Sequence, residues 1–242
     1  MSYGFSAKND YGSVTINSEM KVLVFSERGS LRITSRYTDR GGTGEAVFIK
    51  PIRTLEPPQV FIRHVSGLHS SLGLYAQIIG GPGAWTGFVL RSAASGGSTL
   101  QNFLIEFVAC KFADAAQLSG YGMNIRDAAG GVVFSTQDRP VRYSKFATSW
   151  TRTFFSEDQF IFTPNVTIDA DDFICISALD RGLNWFAEKA QFAAMNILSN
   201  GQPNLNIYAQ VMTAGGDWYY DGTGGTTFGV AVCKFPESRY YN

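Results

Sequence analysis

The chain has 242 residues, with twenty lysines and arginines against twenty aspartates and glutamates, so its net charge is zero. A strong nucleic-acid binder carries a basic excess or stripe, and we therefore expect no nucleic-acid partner. Aromatic residues make up 14% of the chain and charged residues 17%, a balance that favours packed β-sheet and extensive protein contact over a freely solvated monomer.

Residues 1–10 have no apolar core of the kind a signal peptide needs, and no run of 18 apolar residues occurs along the chain. We expect no membrane insertion and synthesis in a reducing cytoplasm.

Short apolar runs alternate with glycine-rich turns along most of the chain, which is typical of β-strands. Glycine clusters such as DRGGTGE, GGPG and AGGD separate the runs, as hairpin loops do. The fold class is predicted to be all-β, at the strand spacing of a sandwich or barrel. In chain order the predicted strands lie at residues 21–26, 30–37, 59–65, 74–79, 103–112, 159–163, 172–178 and 228–235.

Only residues 184–198, NWFAEKAQFAAMNIL, have a helix-forming composition. The composition favours a short helix here. A strand leading into the NGQP turn is the alternative.

Three blocks of sequence recur in the same order. YGFSAKNDYGSVTINSE at residues 3–19 matches YGMNIRDAAGGVVFSTQ at residues 121–137 with a shift of 118. LGLYAQIIGGPGAW at residues 72–85 matches LNIYAQVMTAGGDW at residues 205–218, and CKF at residues 110–112 matches residues 233–235. The pattern predicts two tandem, duplicated β-sandwich-like domains with short loops and at most one short helix, at residues 1–118 and 119–242.

If the halves share one fold, the matched residues should superpose: Tyr3 with Tyr121, Tyr75 with Tyr208, Trp85 with Trp218, and Cys110 with Cys233. Within the first block, alternating apolar residues meet an Asn/Asp-x-x-Gly turn and then alternate again, which predicts a hairpin.

The second copy carries extra apolar residues around residues 184–203. An apolar insertion should be covered, so Trp185, Phe186 and Phe192 are candidates for contacts between subunits. Tyr240 and Tyr241, beyond the last predicted strand, are assigned to the same role as a subunit-contact tail.

No established catalytic or metal-binding motif is present, which predicts that the chain is not an enzyme and holds no cofactor or metal. Cys110 and Cys233 lie in equivalent apolar runs and are expected to be small buried core residues. His64 and His69 have no metal-ligand spacing and are interpreted as structural.

The acidic run TIDADDF places Asp169, Asp171 and Asp172 together. Oxygen ligands at this spacing can begin a calcium site, but no downstream glutamate or central glycine completes an EF-hand. A solvated turn entering a strand is the favoured interpretation.

Residues 215–225, GGDWYYDGTGG, form an aromatic loop with an aspartate on each side of three aromatic rings. Aromatic rings beside carboxylates are typical of sugar-binding sites. Trp218 matches Trp85 of the first copy, which favours a core role for that ring, whereas Tyr219 and Tyr220 are better placed for surface contact. The candidate glycan or receptor contacts are Asp217, Trp218, Tyr219, Tyr220 and Asp221.

The opening pattern, Tyr-Gly followed by a hydrophobic residue, an Asn/Asp-x-x-Gly turn and an alternating strand, resembles a family of small tailed-phage virion proteins associated with tail tips and tail fibres. The motif covers residues 3–20 and 121–143. The resemblance implies a structural component of a bacteriophage tail, at the tip, baseplate or fibre, that contributes to tail assembly and host attachment and has no catalytic residues.

From this resemblance we expect a virion location, other phage tail proteins as partners, and a homo-oligomer. A carbohydrate-binding module that recognises a host-surface glycan is the alternative function.

Overall fold

A computed structural model describes residues 6–8, 14–17, 20–35, 42–67, 72–94, 100–114, 121–155, 159–179, 183–186, 189–199, 202–211 and 229–242. The first half contains β1 (Ser6–Lys8), β2 (Val14–Asn17), β3 (Leu23–Thr34), β4 (Thr43–Ile52), β5 (Gln59–Ser66), β6 (Leu72–Gly81), β7 (Ala84–Ala94) and β8 (Asn102–Phe112). The second half contains β9 (Asn124–Arg126), β10 (Val132–Ser135), β11 (Tyr143–Ala147), β12 (Trp150–Phe155), β13 (Gln159–Pro164), β14 (Asp172–Cys175), β15 (Leu183–Phe186), β16 (Lys189–Ser199), β17 (Gln202–Val211) and β18 (Val230–Lys234).

The prediction of an all-β fold is confirmed. Within the described ranges, the only helical element is one 3₁₀ turn, Ile176–Leu179, directly after β14. No helix in these ranges has the length and apolar character needed to cross a membrane.

Fourteen of the described strands form one antiparallel sheet, in the order β11-β18-β14-β5-β8-β3-β4-β7-β6-β16-β17-β13-β12, with β15 attached to β16. The first and last strands of this path, β11 and β12, are consecutive in the chain and are separated only by Thr148 and Ser149. The chain itself therefore links the two ends of the path through these two residues.

Asn165 holds the joint between β11 and β12. Its side-chain oxygen accepts hydrogen bonds from the backbone N–H of Thr148, at 3.2 Å, and of Ser149, at 3.5 Å. Its own N–H donates to the carbonyl of Ser149 at 3.1 Å. One asparagine thus satisfies backbone groups that the interruption between the two strands would leave unpaired.

The predicted helix at residues 184–198 is wrong, and the strand alternative is right. The segment forms β15 and β16, and β16 pairs with β6, β15 and β17. Helix propensity amounts to a few tenths of a kcal/mol per residue, roughly, so pairing with several strands overrides it.

The two hairpins outside the large sheet have the same register. In β1–β2, Ser6 pairs with Asn17 and Lys8 with Val14; in β9–β10, the partners are the same positions shifted by 118. Both hairpins have an irregularity at the same step of the ladder. The first repeated block therefore forms the same local structure in both halves.

The second hairpin shows why its turn needs an acidic or amide residue and a glycine. The Asp127 side chain accepts the N–H groups of Ala129, at 2.9 Å, and Gly131, at 2.7 Å. Gly130 has a φ of 84°, in the left-handed region that glycine adopts without strain. The motif residues thus specify the turn through local backbone chemistry.

The large sheet repeats its pairing pattern in the two halves. The pairs β3–β4, β3–β8, β4–β7, β5–β8 and β6–β7 recur as β12–β13, β11–β18, β13–β17, β14–β18 and β16–β17. The irregularity that follows the Phe25–Cys110 pair recurs after the Tyr143–Cys233 pair. These repeats support a tandem duplication, which stays a prediction.

In the middle block, the sequence match aligns β6 with β17, which is one strand away from the counterpart that the strand pairing indicates. Tyr75 lies in β6, which pairs with β7 and β16, whereas Tyr208 lies in β17, which pairs with β13 and β16. By its pairing, β17 corresponds to β7 and β16 corresponds to β6. The expected superposition of Tyr75 with Tyr208 is therefore wrong. Tyr3 and Trp218 lie outside the described residues.

The two halves meet in the sheet at two seams, β5–β14 and β6–β16. At the first seam Phe61 pairs with Cys175 and Ile62 with Ile174; at the second, Leu74 pairs with Met195. The proposed boundary at residues 118 and 119 lies in residues 115–120, outside the described residues, and the division into two domains stays a prediction.

Apolar side chains cover both faces of the sheet around the first seam. Val60 and Ile62 belong to the larger buried cluster, on what we call the inner face, together with residues of β3, β4, β6, β7, β8 and β14. Phe61, between them, points to the opposite, outer face, where it joins Phe173 and Phe235 in a second cluster. A strand with both faces covered lies inside the structure rather than at its surface.

Replacing Phe61 by alanine tests how much the first seam contributes to stability. The side chain has no exposed surface, so its removal leaves a cavity and should lower the free energy of unfolding by about 3–5 kcal/mol. Urea denaturation measures the loss. Val65→Ala, on the same strand but 48% exposed, is the control and should cost under about 1 kcal/mol. An equal, small loss for both variants would contradict the packing described for the seam.

Candidate functional site

The residues of the predicted aromatic loop, Asp217 to Asp221, lie outside the described residues. Trp185 and Phe186 lie in β15 and Phe192 in β16, a strand of the chain's own sheet. Contacts of their side chains with another subunit stay a prediction.

Tyr240 is not part of a free tail. Its side chain is 1% exposed, and its ring packs 5.9 Å from that of Phe25 and 5.0 Å from that of Phe235, between centroids. Its hydroxyl donates a hydrogen bond to the carbonyl of Pro140 at 2.7 Å. The expected subunit contact at Tyr240 is therefore wrong, because the residue fills its own chain's core. Tyr241 is 60% exposed and stays available for such a contact.

Residues 236–242, the C-terminal tail, fold back over the outer face of the sheet. Pro236 follows β18 and has no N–H with which to extend the ladder. Instead its carbonyl accepts the N–H groups of Arg239, at 3.0 Å, and Tyr240, at 2.9 Å. This tight turn reverses the chain and directs Tyr240 into the outer cluster.

Arg28 fastens the tail to the sheet. Its guanidinium donates to the carbonyl of Phe235 at 2.8 Å, and its backbone exchanges two hydrogen bonds of 2.6 Å with the side chain of Asn242. The same guanidinium pairs with Glu106 at 2.5 Å, and Arg63 pairs with the other oxygen of Glu106 at 2.6 Å. Two arginines thus neutralise one largely buried carboxylate, and one of them, Arg28, also bonds the C-terminal tail.

A groove of about 920 Å³ lies open on the outer face, beside the first seam, and we call it the open groove. Its floor comes from β5, β14, β18 and the 3₁₀ turn, and its rim from β6, β7 and β11. The residues that matter below are Gln59, Gln77, Trp85, Phe112, Tyr143, Phe146, Cys175 and Ser177.

Aromatic rings dominate the rim of the open groove. Tyr143 is 42% exposed and Phe146 is 50% exposed, with 5.1 Å between their ring centroids. Trp85 stands on the other side, held by a 3.0 Å hydrogen bond from its indole N–H to the carbonyl of Thr54. Burial raises the pKa of Tyr143 to about 12. Rings held in this way can stack on a ligand at a low cost in conformational entropy.

A second cleft, of about 690 Å³, is strongly charged and lies between β3, β4 and the segment after β10. Glu27 is 6% exposed there and accepts the N–H of Ile49 at 2.9 Å. Burial raises the pKa of Glu27 and, independently, that of Asp138. Basic side chains share the cleft: Lys50, Arg53, Lys111 and Arg139.

The acidic turn is tied to two lysines. The Nζ of Lys145 lies 2.6 Å from Asp172 and 2.9 Å from Asp169, while that of Lys234 lies 2.7 Å from Asp171. Lys145 holds the pKa of Asp169 below its usual range, and Lys234 does the same for Asp171. The interpretation as a solvated turn fits Asp169 and Asp171, whereas the Asp172 side chain is buried.

The carboxylate oxygens of these three aspartates approach within 4.8 Å of one another. The lysine ammonium groups supply the positive charge that a metal ion would otherwise bring to such a cluster.

The cysteine prediction is confirmed. Cys110 and Cys233 have no exposed surface, and Cys175, in β14, is 5% exposed; none of the three forms a disulfide bond. Burial raises the pKa of Cys233 to about 12 and that of Cys110 well above its usual range, which suppresses the reactive thiolate. Burial also lowers the pKa of the half-buried His64, as expected of a structural histidine, and His69 lies outside the described residues.

Sequence reasoning did not identify the open groove, because its residues come from strands that are distant in the chain. One signal was present. The shift of 118 that aligns the first block also aligns Phe25 with Tyr143, beyond the block's end. Extending the alignment beyond the first block would therefore have matched Phe25, on the outer face of the first half, with Tyr143, which lines the open groove.

Replacing Tyr240 by alanine should destabilise the protein by about 3–5 kcal/mol, because a buried ring and its hydrogen bond are lost together. Tyr241→Ala is the matched control. Its ring is exposed, with only the Arg139 guanidinium 4.6 Å from its centroid, and its loss should cost under about 1 kcal/mol. Chemical denaturation measures both. Equal losses would mean that Tyr240 does not pack as described.

Replacing Glu27 by glutamine should change the dependence of stability on pH. Because the pKa of Glu27 is raised in the folded chain, folding binds its proton more tightly, and the wild-type protein loses stability as the pH rises through that pKa. Urea denaturation from pH 4 to 7 should therefore show Glu27→Gln gaining stability relative to wild type as the pH rises. Glu45→Gln, on the exposed side of β4, controls for the loss of one charge. A constant difference between Glu27→Gln and wild type would contradict this reasoning.

Comparison with known proteins gives no match: no protein-family model, no curated protein and no solved structure matches the chain. The likeness to tailed-phage virion proteins rests on the hairpin motif alone, so the function that it implies is a proposal.

Proposed function

We propose that the protein is a structural component of a bacteriophage tail, placed at the tip, the baseplate or a fibre, that contributes to tail assembly and host attachment. It acts by binding and has no catalytic role. It assembles as a homo-oligomer with other tail proteins, needs no cofactor, and binds no nucleic acid.

The observation that carries the proposal is the repeated hairpin. The residues that resemble tailed-phage proteins build the same hairpin, with the same register and the same irregularity, at the head of each half. In the second copy, Asp127 and Gly130 account for the spacing of the motif. The likeness therefore involves residues that specify the hairpin itself.

The surface is also suited to an assembly role. Apolar side chains stand exposed on the described part of β4 and the turn after it, among them Val47, Ile49 and Leu55, each at least 70% exposed. The open groove adds exposed aromatic rings, which are enriched at the centres of protein interfaces. Buried charges such as Glu106 are meanwhile committed to ion pairs within the chain.

The alternative function is a carbohydrate-binding module that recognises a host-surface glycan. The observation that favours it is that aromatic rings and side-chain amides line the same groove: Gln59 and Gln77 share its lining with Trp85 and Tyr143. The predicted loop contact is tested separately, by measuring how well particles that carry both Tyr219→Ala and Tyr220→Ala bind to host cells. Unchanged adsorption would remove that loop from the alternative.

Mass spectrometry of purified particles of the virus that encodes the chain tests the proposal. The protein should be present in intact particles, in a copy number that is a multiple of the tail's rotational symmetry. Light scattering of the isolated protein should give a mass above the 26.5 kDa of one chain. Absence from washed particles together with a 26.5 kDa monomer would refute the structural role.

A further inference from the structure

The open groove and the surface under the C-terminal tail are counterparts of each other. At the first seam, antiparallel strands β5 and β14 pair Phe61 with Cys175. An antiparallel pair has a local two-fold axis perpendicular to the sheet. Rotation about this axis superposes each residue of one strand on a residue of the other strand, on the same face of the sheet. The outer face around the seam therefore presents two equivalent surfaces, one from each half.

The pairing registers identify the counterparts residue by residue. In β5–β8, Gln59 pairs with Cys110; in β14–β18, Phe173 pairs with Cys233. The β3–β8 and β11–β18 ladders extend the correspondence outward. Written with the tail side first, the counterparts are Phe25 and Tyr143, Arg28 and Phe146, Phe61 and Cys175, and Phe235 and Phe112.

The first of these two surfaces is filled. The tail's Tyr240 rests against Phe25 and Phe235, and Phe235 in turn packs 5.3 Å from the ring of Phe61. The counterparts of these three wall residues, Tyr143, Phe112 and Cys175, all line the open groove. The open groove thus has, at equivalent positions, the walls against which the other half packs an aromatic peptide segment.

The two halves differ at the residue that follows the matched phenylalanines, Phe235 and Phe112. Phe235 is followed by Pro236, and the chain turns back over the outer face. After β8 comes Ala113, whose N–H donates to the carbonyl of Val22 at 2.9 Å. At Ala113 the main chain therefore continues along the N-terminal segment instead of turning back over the groove.

We propose that the open groove is a docking site for a peptide segment of another protein that carries an aromatic side chain, seated as Tyr240 is seated in the equivalent place. The chemistry of the groove refines the partner. Arg28 and Glu106, which surround the tail with charge, have Phe146 and Gly229 as their counterparts. Glu56, whose carboxylate lines the groove, would repel a second carboxylate. The occupant is therefore an apolar segment rather than one that ends in a carboxylate, and Gln59 and Gln77 can bind its main chain.

This proposal stands on the groove's geometry and does not require the protein to be a tail component. Particle composition tests the proposed function, and binding by the isolated chain tests the groove, so either can fail without the other.

The test uses the full chain and a synthetic peptide based on residues 235–242, the segment that covers the equivalent surface, with Glu237 and Arg239 replaced by alanine and the C-terminus amidated so that it carries neither a charged side chain nor a carboxylate. Calorimetric titration should show binding that Phe146→Ala weakens about tenfold or more. Phe146 is half-exposed, so its replacement leaves the fold intact. Tyr121→Ala, which removes a fully exposed aromatic ring outside the groove, is the control and should leave the affinity unchanged. A peptide with alanine in place of Tyr240 should bind no better than the Phe146→Ala chain binds the original.

Three results would overturn the proposal. The first is that the peptide fails to bind at millimolar concentration. The second is that it binds with an affinity that Phe146→Ala does not change, which would place it at another site, for example on the surface that the chain's own C-terminal tail covers, after displacing that tail. The third is that neutral oligosaccharides bind in a Phe146-dependent manner while the peptide does not. That result would assign the groove to the carbohydrate alternative.

Discussion

The pairing of β5 with β14 is the interaction on which the rest of the structure depends. It joins the two halves of the chain in one sheet, and the residues on both of its faces are buried. Phe61 and Cys175 stand at its centre, so every outer-face feature described above is placed relative to this pair. The tail covers one side of the seam and the groove opens on the other. Both follow from the local two-fold arrangement of the strands and from the course of the main chain after β18 and β8, which turns back at Pro236 and continues onward at Ala113.

Local chemistry made the hairpins predictable from sequence. An acidic side chain that accepts nearby N–H groups and a glycine at positive φ act within five residues, so the motif around Asp127 and Gly130 specifies its structure without help from the rest of the chain. The burial of Cys110 and Cys233 was predictable for a similar reason, because each lies in an apolar run of its own strand. The all-β class followed from alternation alone.

Features that depend on distant partners were not predictable in the same way. Residues 189–199 are a strand because three other strands pair with them, which composition does not record. The YAQ match joined β6 to β17 because alternating strands resemble one another whatever their place in a sheet. From sequence, Tyr240 was interpreted as part of a free tail, because the turn at Pro236 and the hydrogen bonds of Arg28 that bring it to the core are not visible there. The open groove escaped notice for the same reason, since its walls converge only after the seam has formed.

The two seams of the sheet have a consequence for how the chain reaches its native state. Both seams pair residues that lie far apart in sequence: Phe61 and Cys175 are 114 positions apart, and Leu74 and Met195 are 121 positions apart. Closing loops of this length costs chain entropy before the contacts at either seam return any free energy, and folding rates fall as the mean separation of contacting residues grows. Folding of this chain is therefore expected to be slower than that of a chain of the same length whose strands pair mainly with sequence neighbours.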